Sequence, residues 1–293
     1  MQRIDLHCHS TASDGLLSPT EVVGLAAASA VELFALTDHD TTAGVPAACE
    51  AADGTGVEIV PGVEVSTIWD DVEVHVIGLG IALDADPLAG LLALNRRSRR
   101  TRVAAMAAIV ERRLRLDGLV ERLAADADKP HGRLALARCL VESGRVKSVQ
   151  QAFGRYLGRG RVAYVPPGWA ALAPAVAAIR AVGGLPVLAH PLAYRLKSGR
   201  LNALVSAFRS AGGVGIEVVT GSMQGWQMRR TLSLAERHGL LASMGSDFHG
   251  IDAHHPGPGA CSPLPPGVVP VWQDSAAAEG IQRPRLRALS SIN

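Results

Sequence analysis

The sequence predicts an α/β fold, a (β/α) barrel one unit short of the usual eight, interrupted by a helical insert. Seven short apolar runs, mostly unbroken Val, Ile and Leu, suit strands buried on both faces of a parallel sheet. Helical patterns lie between several of them, the alternation expected of an α/β protein. Histidines and carboxylates collect at the downstream ends of the runs, where such barrels keep their functional residues.

The first run, Arg3–His9, sets His7 and His9 on one face, because strand side chains alternate. Cys8 between them points the other way, into packing. A helix follows at Pro19–Ala30, with Ser18 as its cap and Pro19 at its first position. Strands at Leu33–Asp40 and Glu58–Ser66 flank a helix at Val45–Asp53, and Glu73–Gly80 is the fourth strand. From Gly80 to Leu185 there is no strong strand. Ala89–Arg115 is a long periodic helix there, and Val120–Ala127, Arg133–Glu142 and Val149–Leu157 continue the helical pattern. Residues 95–167 read as an insert over the barrel mouth, with 1–94 and 168–293 as the barrel domain. Strands at Leu185–Pro191, Val214–Thr220 and Leu241–His249 then alternate with helices at Leu172–Val182, Leu201–Ala211 and Gln224–His238. The tail from Cys261 to Asn293, rich in Pro and Ser, carries no clear pattern.

Bulk properties narrow the function. The 293 residues, 48% hydrophobic, suffice for one large core or for a core plus an insert. The balance of 29 basic and 27 acidic residues gives +2, no reason to expect a bulk polyanion partner. Any nucleic-acid chemistry then needs a local pocket. The four cysteines, Cys8, Cys49, Cys139 and Cys261, have no paired spacing, which fits a reducing compartment. No signal-like segment or membrane-length apolar run is visible, so the expectation is a cytoplasmic protein with no membrane contact. No obligate protein partner is evident.

The strand ends carry one constellation: His7 and His9 with Asp14 in the next loop; His39 in TDHDT; Glu64 in PGVEVS; His75 within the fourth strand; His190 in AHP; and Asp247 and His249 in SDFHG. Six of the ten histidines are among them. Residues at the ends of successive strands face one crevice. Imidazole with carboxylate suits zinc, manganese or iron better than magnesium or calcium. Nine ligands are too many for one ion and leave several idle with two, so three ions is the economical count. Glutamate is the natural bridge between cations. Singly, each position has a plainer role: Asp38 and Asp40 as hydrogen-bond partners or caps, Asp14 as a turn residue, His75 as a core histidine. Jointly they share one strand-end logic. Glu217, at the end of the sixth strand, is open between facing the site and a structural role. His131, His238, His254 and His255 are left to the surface or the insert.

In this order, from Arg3 to Gly250, DLHCHS, TDHDT, PGVEVS, the strand histidine, AHP and SDFHG resemble the PHP (polymerase and histidinol phosphatase) family. The resemblance implies a distorted seven-stranded (β/α) barrel, up to three divalent metals, and hydrolysis of phosphate esters. By position it implies that His7, His9, Glu64 and Asp247 hold one metal, that Glu64 bridges to a second held with His75 and His190, and that Asp14, His39 and His249 hold the third. Some members have histidine where this chain has Asp14, so the third site differs in ligand hardness. In the insert, KPHGRLA, FGRYLG and AYVP resemble a cytoplasmic subgroup of nucleoside 3′,5′-bisphosphate phosphatases and 5′-to-3′ exoribonucleases of very short RNA.

The expected activity is therefore removal of the 3′-phosphate from nucleoside 3′,5′-bisphosphates, such as phosphoadenosine 3′-phosphate to AMP, with short oligoribonucleotides as further substrates. Two to three divalent cations, manganese first and zinc or iron as alternatives, give hydroxide from a shared water. Asp247, His190 and Glu64 are the candidate catalytic residues, Asp247 orienting the nucleophile. The uncleaved phosphate needs an arginine anchor. Arg133 is the first choice and Arg99 the second, although the run Arg96–Arg100 also reads as a solvated helix face. Tyr164 or Trp169 stacks on a base or packs the insert. Rival readings are a small-metabolite phosphatase such as histidinol phosphatase, a metal-dependent amidohydrolase, and a non-catalytic metal-binding module.

Overall fold

A computed structural model describes residues 3–124, 132–250 and 257–273. In chain order its strands are β1 (Ile4–Asp5), β2 (Leu33–Leu36), β3 (Glu58–Trp69), β4 (Val72–Leu79), β5 (Ala170–Ala171), β6 (Leu185–Leu188), β7 (Gly215–Thr220) and β8 (Leu241–Gly245). Seven of them line up as β1-β2-β3-β4-β6-β7-β8, and the two-residue β5 pairs beside β3. The Leu6 N–H donates to the Met244 carbonyl and the His9 N–H to that of Phe248, which brings the two ends of the sheet together. The result is a nearly closed seven-stranded barrel, distorted as expected.

One strand departs from the all-parallel expectation. β4 runs antiparallel to both β3 and β6. The cause is local: Asp70 and Asp71, the two residues between β3 and β4, both have positive φ, 45° and 62°. That pair of left-handed residues makes the tight hairpin turn that matches strand twist. β4 therefore starts at the barrel mouth and descends. The ladders of β1, β2, β6 and β8 also stop before the ligand-bearing residues that sequence extended them through. Asp40, His190 and Asp247 take φ of 53°, 25° and 55°, outside strand geometry, and turn the backbone into the mouth.

The helices are α1 (Pro19–Ala28), α2 (Val45–Ala52), α3 (Leu88–Leu114), α4 (Leu119–Ala124), α5 (Arg133–Glu142), α6 (Val149–Ala152), α7 (Leu172–Ala181), α8 (Ser198–Ser210) and α9 (Gly225–His238). Ser18 caps α1 with Glu21 in a reciprocal capping box, and Pro19 opens the helix. α6 runs into a π-helical turn at Phe153–Leu157. The buried residues of α3 are Leu88, Leu92, Asn95, Arg99, Arg102, Val103, Met106, Ala107 and Val110, spaced as one helical face. Leu88 and Leu92 join the barrel core, whereas Val103 through Val110 join a second core with Leu136, Leu140 and Leu157. The polar residues between the two lie at the mouth. Cys8 packs in a third cluster with Phe34 and Phe248, away from its flanking histidines.

The described part of the tail is ordered against the barrel. The Ala242 N–H donates to the Val269 carbonyl, the Val271 N–H donates to that of Ala242, and Val271 is fully buried. His131, His254 and His255 lie outside the described residues, and His238, at the end of α9, is beside Asn202. Among the described residues, no helix is long and apolar enough to cross a membrane.

Candidate metal centre

All nine residues singled out in the sequence meet at the barrel mouth. Glu64 of β3 is at the middle. Its Oε1 lies 2.9 Å from His75 Nδ1 and 3.0 Å from His190 Nε2. Its Oε2 lies 3.4 Å from His7 Nε2, 3.3 Å from His9 Nε2 and 2.9 Å from His39 Nδ1. Asp247 Oδ1 sits 3.4 Å and 3.3 Å from the same nitrogens of His7 and His9. Asp14 reaches His249 Nε2 at 3.4 Å and His39 Nε2 at 3.9 Å. Donor atoms converge in four overlapping sets: His7 with His9 and Asp247, His7 with Glu64 and His190, His39 with Glu64 and His75, and His9 with Asp14, His39 and His249.

These contacts fit cations better than hydrogen bonds. Buried His9 Nδ1, His39 Nδ1, His190 Nδ1 and Glu64 Oε2 have no hydrogen-bond partner. Glu64 Oε2 lacks one even though three imidazole nitrogens stand within 3.4 Å of it, because none is aligned to donate. Orphaned buried atoms are costly. A cation between lone pairs that face one another would remove that cost, and mixed nitrogen and oxygen donors suit manganese, zinc or iron.

Charge is arranged accordingly. Burial works against ionisation of Glu64, but His39, His75 and His7 outweigh it and hold the carboxyl well below the usual range. The same balance keeps Asp14 low, through His249 and His39, and Asp247 low, through His7. Burial and the neighbouring His249 push His9 down to about 3, a neutral ligand at working pH. Burial also pulls on His249, yet Asp14 pulls harder and raises it to about 10. A cation taking Asp14, His39 and His249 must displace that proton. Manganese uptake is therefore expected to release protons and to strengthen as pH rises toward 10. Titration calorimetry in buffers of different ionisation enthalpy measures the release, and identical heats in all buffers would contradict it.

The flanking aspartates are not ligands. Asp38 accepts from the Ser10 N–H, the Ser10 hydroxyl and the Ser13 hydroxyl, which fixes the loop carrying Asp14. Asp40 accepts from Arg99, from Asn95 and from the Ser66 N–H. α3 meets the barrel mouth at that point.

A cavity of about 110 Å³ opens beside the centre, lined on one side by Asp14, His39 and His75 and on the other by Arg99, Arg102, Arg133 and Trp169. A larger one, about 650 Å³, lies around Arg3, Ile4 and residues 258–273 and contains none of the nine residues. The arginines correct two expectations. Arg99 is no part of a solvated face: it is buried, with Nη2 at 2.6 Å from both Asp40 Oδ2 and Ser66 Oγ. Trp169 is not free to stack on a base, because Arg99 and Arg102 already lie over its ring at 4.9 Å and 5.5 Å. Arg102, which sequence reading passed over, grips Glu73 with both Nη atoms at 2.9 Å. Its place on the buried face of α3 was readable from the Leu88, Leu92, Asn95 spacing. Arg133 also contacts Glu73, at 3.0 Å through Nη2, and lies over Phe153. The Tyr164 hydroxyl is 3.4 Å from Glu73, with Arg102 over its ring. Burial opposes the charge on Glu73, but Arg102 and Arg133 hold it down to about 2. Gly245 was missed as well: a Cβ there would stand 2.3 Å from the Cβ of His7, so only glycine lets β8 pass.

An imidazole and carboxylate cluster at the mouth of an α/β barrel, facing buried arginines, defines a metallohydrolase for anionic substrates. The PHP domain matches residues 5–137. Over 279 residues the chain is 41% identical to a 3′,5′-nucleoside bisphosphate phosphatase of Chromobacterium violaceum, covering 94% of this chain and 98% of that one. It is 37% identical over 272 residues to a 5′-3′ exoribonuclease of Haemophilus influenzae, with 93% and 98% covered. A solved structure from Chromobacterium violaceum, described as an amidohydrolase with bound sulfate and no metal, superposes with a TM-score of 0.88 at 40% identity over 96% of this chain and 98% of that one. Another, from Bifidobacterium adolescentis and described as a metal-dependent phosphoesterase, gives 0.76 at 27% identity over 96% and 95%. The chain belongs to the PHP family and is a metal-dependent phosphoesterase.

Proposed function

We propose that the enzyme removes the 3′-phosphate of nucleoside 3′,5′-bisphosphates, and that it cuts short RNA from the 5′ end by the same step. The observation that carries this reading is the pair formed by half-buried Arg133 and buried Arg102, across a small cavity from Asp14, His39 and His75. A phosphate at the metals leaves that pair to recognise a second anion on the same molecule. The relatives named above agree with both substrates. The two substrates also share their chemistry: in each, the bond broken joins phosphorus to the 3′ oxygen of a nucleotide whose 5′-phosphate is free to be held.

Assigned roles follow the geometry. His7, His9, Glu64 and Asp247 would hold one cation, Glu64, His75 and His190 a second, and Asp14, His39 and His249 a third, with manganese the first choice. Bound divalent cations supply a water nucleophile at neutral pH and neutralise charge on the phosphate. Asp247, whose side chain is 31% open where that of Glu64 is fully buried, is the carboxylate able to orient the attacking water. Arg133 spends one nitrogen on Glu73 and turns its other N–H groups to the 5′-phosphate. Residues 95–167 act as a cap that carries this anchor to the barrel.

The test is a substrate panel on metal-loaded protein: phosphoadenosine 3′-phosphate, a 5′-phosphorylated trinucleotide, histidinol phosphate, an aryl phosphate and an N-acyl amide. Turnover of the first two far above the rest is expected. Preferred turnover of histidinol phosphate or of the amide would overturn the proposal.

A further inference from the structure

We infer that Glu217 is a positioning residue for the metal centre, holding the His7 ring and the His190 backbone from behind. The inference rests on the metal-centre half of the proposed function and is independent of which ester is cleaved.

Glu217 is fully buried on β7. The pairing of β7 with β8 slips between Glu217 and Val219, so that Glu217 and Val218 together stand opposite Ser243. Such a bulge re-aims a side chain. Here the carboxylate meets residues from two other segments of the barrel. Its Oε1 lies 2.9 Å from His7 Nδ1. Its Oε2 accepts from the His190 N–H at 2.6 Å and from the Thr220 hydroxyl at 3.1 Å.

Each contact has a distinct consequence. With Nδ1 of His7 donating to Glu217, the lone pair is left on Nε2, the atom that faces Glu64 Oε2 and Asp247 Oδ1. A carboxylate behind a ligand histidine fixes its tautomer and ring orientation and raises its basicity. His190 sits at φ 25°, a conformation few L-residues adopt without help. The bond from its N–H to Glu217 supports that conformation, and with it the 3.0 Å approach of His190 Nε2 to Glu64. One side chain thereby orders ligands on both sides of the bridging glutamate. Both of its oxygens must accept. Glutamine has nearly the same shape, but its amide nitrogen would have to face either the His7 Nδ1–H or the His190 N–H, donor against donor. Nor does Glu217 face the cavity, whose lining does not include it.

The experiment compares manganese binding by the wild-type chain and by Glu217→Gln, using competition with a chromophoric chelator, after circular dichroism shows both to be folded. Affinity at the tightest site is expected to fall about 10- to 100-fold in the variant. Wild-type affinity in a folded Glu217→Gln would overturn the inference. A second measurement needs no variant: long-range ¹H–¹⁵N spectra of the zinc-loaded wild-type protein should place the His7 proton on Nδ1. A proton on Nε2 would overturn the inference even if Glu217→Gln does not fold. Neither readout uses substrate, so a failed substrate panel leaves both intact. A wild-type chain that binds no manganese would overturn the metal reading itself.

Discussion

Glu64→Gln is expected to lower kcat/KM by roughly 10³-fold or more, the scale seen when a residue that acts as part of a unit is removed. Its metal content should fall to at most one ion per chain. The reason is the double role of one side chain. Oε1 serves His75 and His190 while Oε2 serves His7, His9 and His39. Glutamine keeps one acceptor and turns an amide toward the other set. The centre also loses a buried negative charge that would attract the cations. Elemental analysis alongside kinetics checks both halves, and full metal content in the variant would show that Glu64 does not bridge.

Arg133→Ala is expected to act elsewhere. KM for a nucleoside 3′,5′-bisphosphate should rise about 10- to 100-fold, corresponding to roughly 1.4 to 3 kcal/mol of lost charge-assisted contact. Metal content should not change, because Arg133 touches Glu73 and Phe153 and none of the nine centre residues. A substrate with a single phosphate supplies the control. Turnover of an aryl phosphate should be nearly unaffected, and Arg133→Lys should recover part of the loss. An unaltered KM for the bisphosphate would remove Arg133 from the site.

The centre was legible in the sequence because each of its parts is a short local signal. His7 and His9 flank Cys8 just past the end of β1, and AHP and SDFHG also sit where strands end. Strand periodicity alone tells which side chains share a face. The reversal of β4 was not legible in this way. An apolar run reads the same in either direction, and only the left-handed pair Asp70–Asp71 sets the sense. The arginines were misjudged for a related reason. Arg96 to Arg100 looks like a solvated run, but burial depends on the face set by Leu88 and Leu92, and Arg99 and Arg102 continue that face while Arg97 and Arg100 do not. Glu217 stayed ambiguous because a bulge changes where a strand residue points, and no residue type marks this bulge. The asymmetry is general to the chain: ligand identities are written locally, whereas what supports them is decided by partners far along the chain, 210 positions in the case of His7 and Glu217.

The reversal of β4 has one more effect. On a descending strand, the residue that precedes a ligand stands above it. Glu73, which holds Arg102 and Arg133, and His75, which faces Glu64, are neighbours on one side of the same strand. The pleat separates them by two residues, roughly 7 Å, with no joint between. The strand is thus a ruler. Under the proposed function, a molecule held at both marks would be measured against a fixed length, and a substrate whose two charged groups are set too close or too far apart would be disfavoured by geometry before any bond is broken.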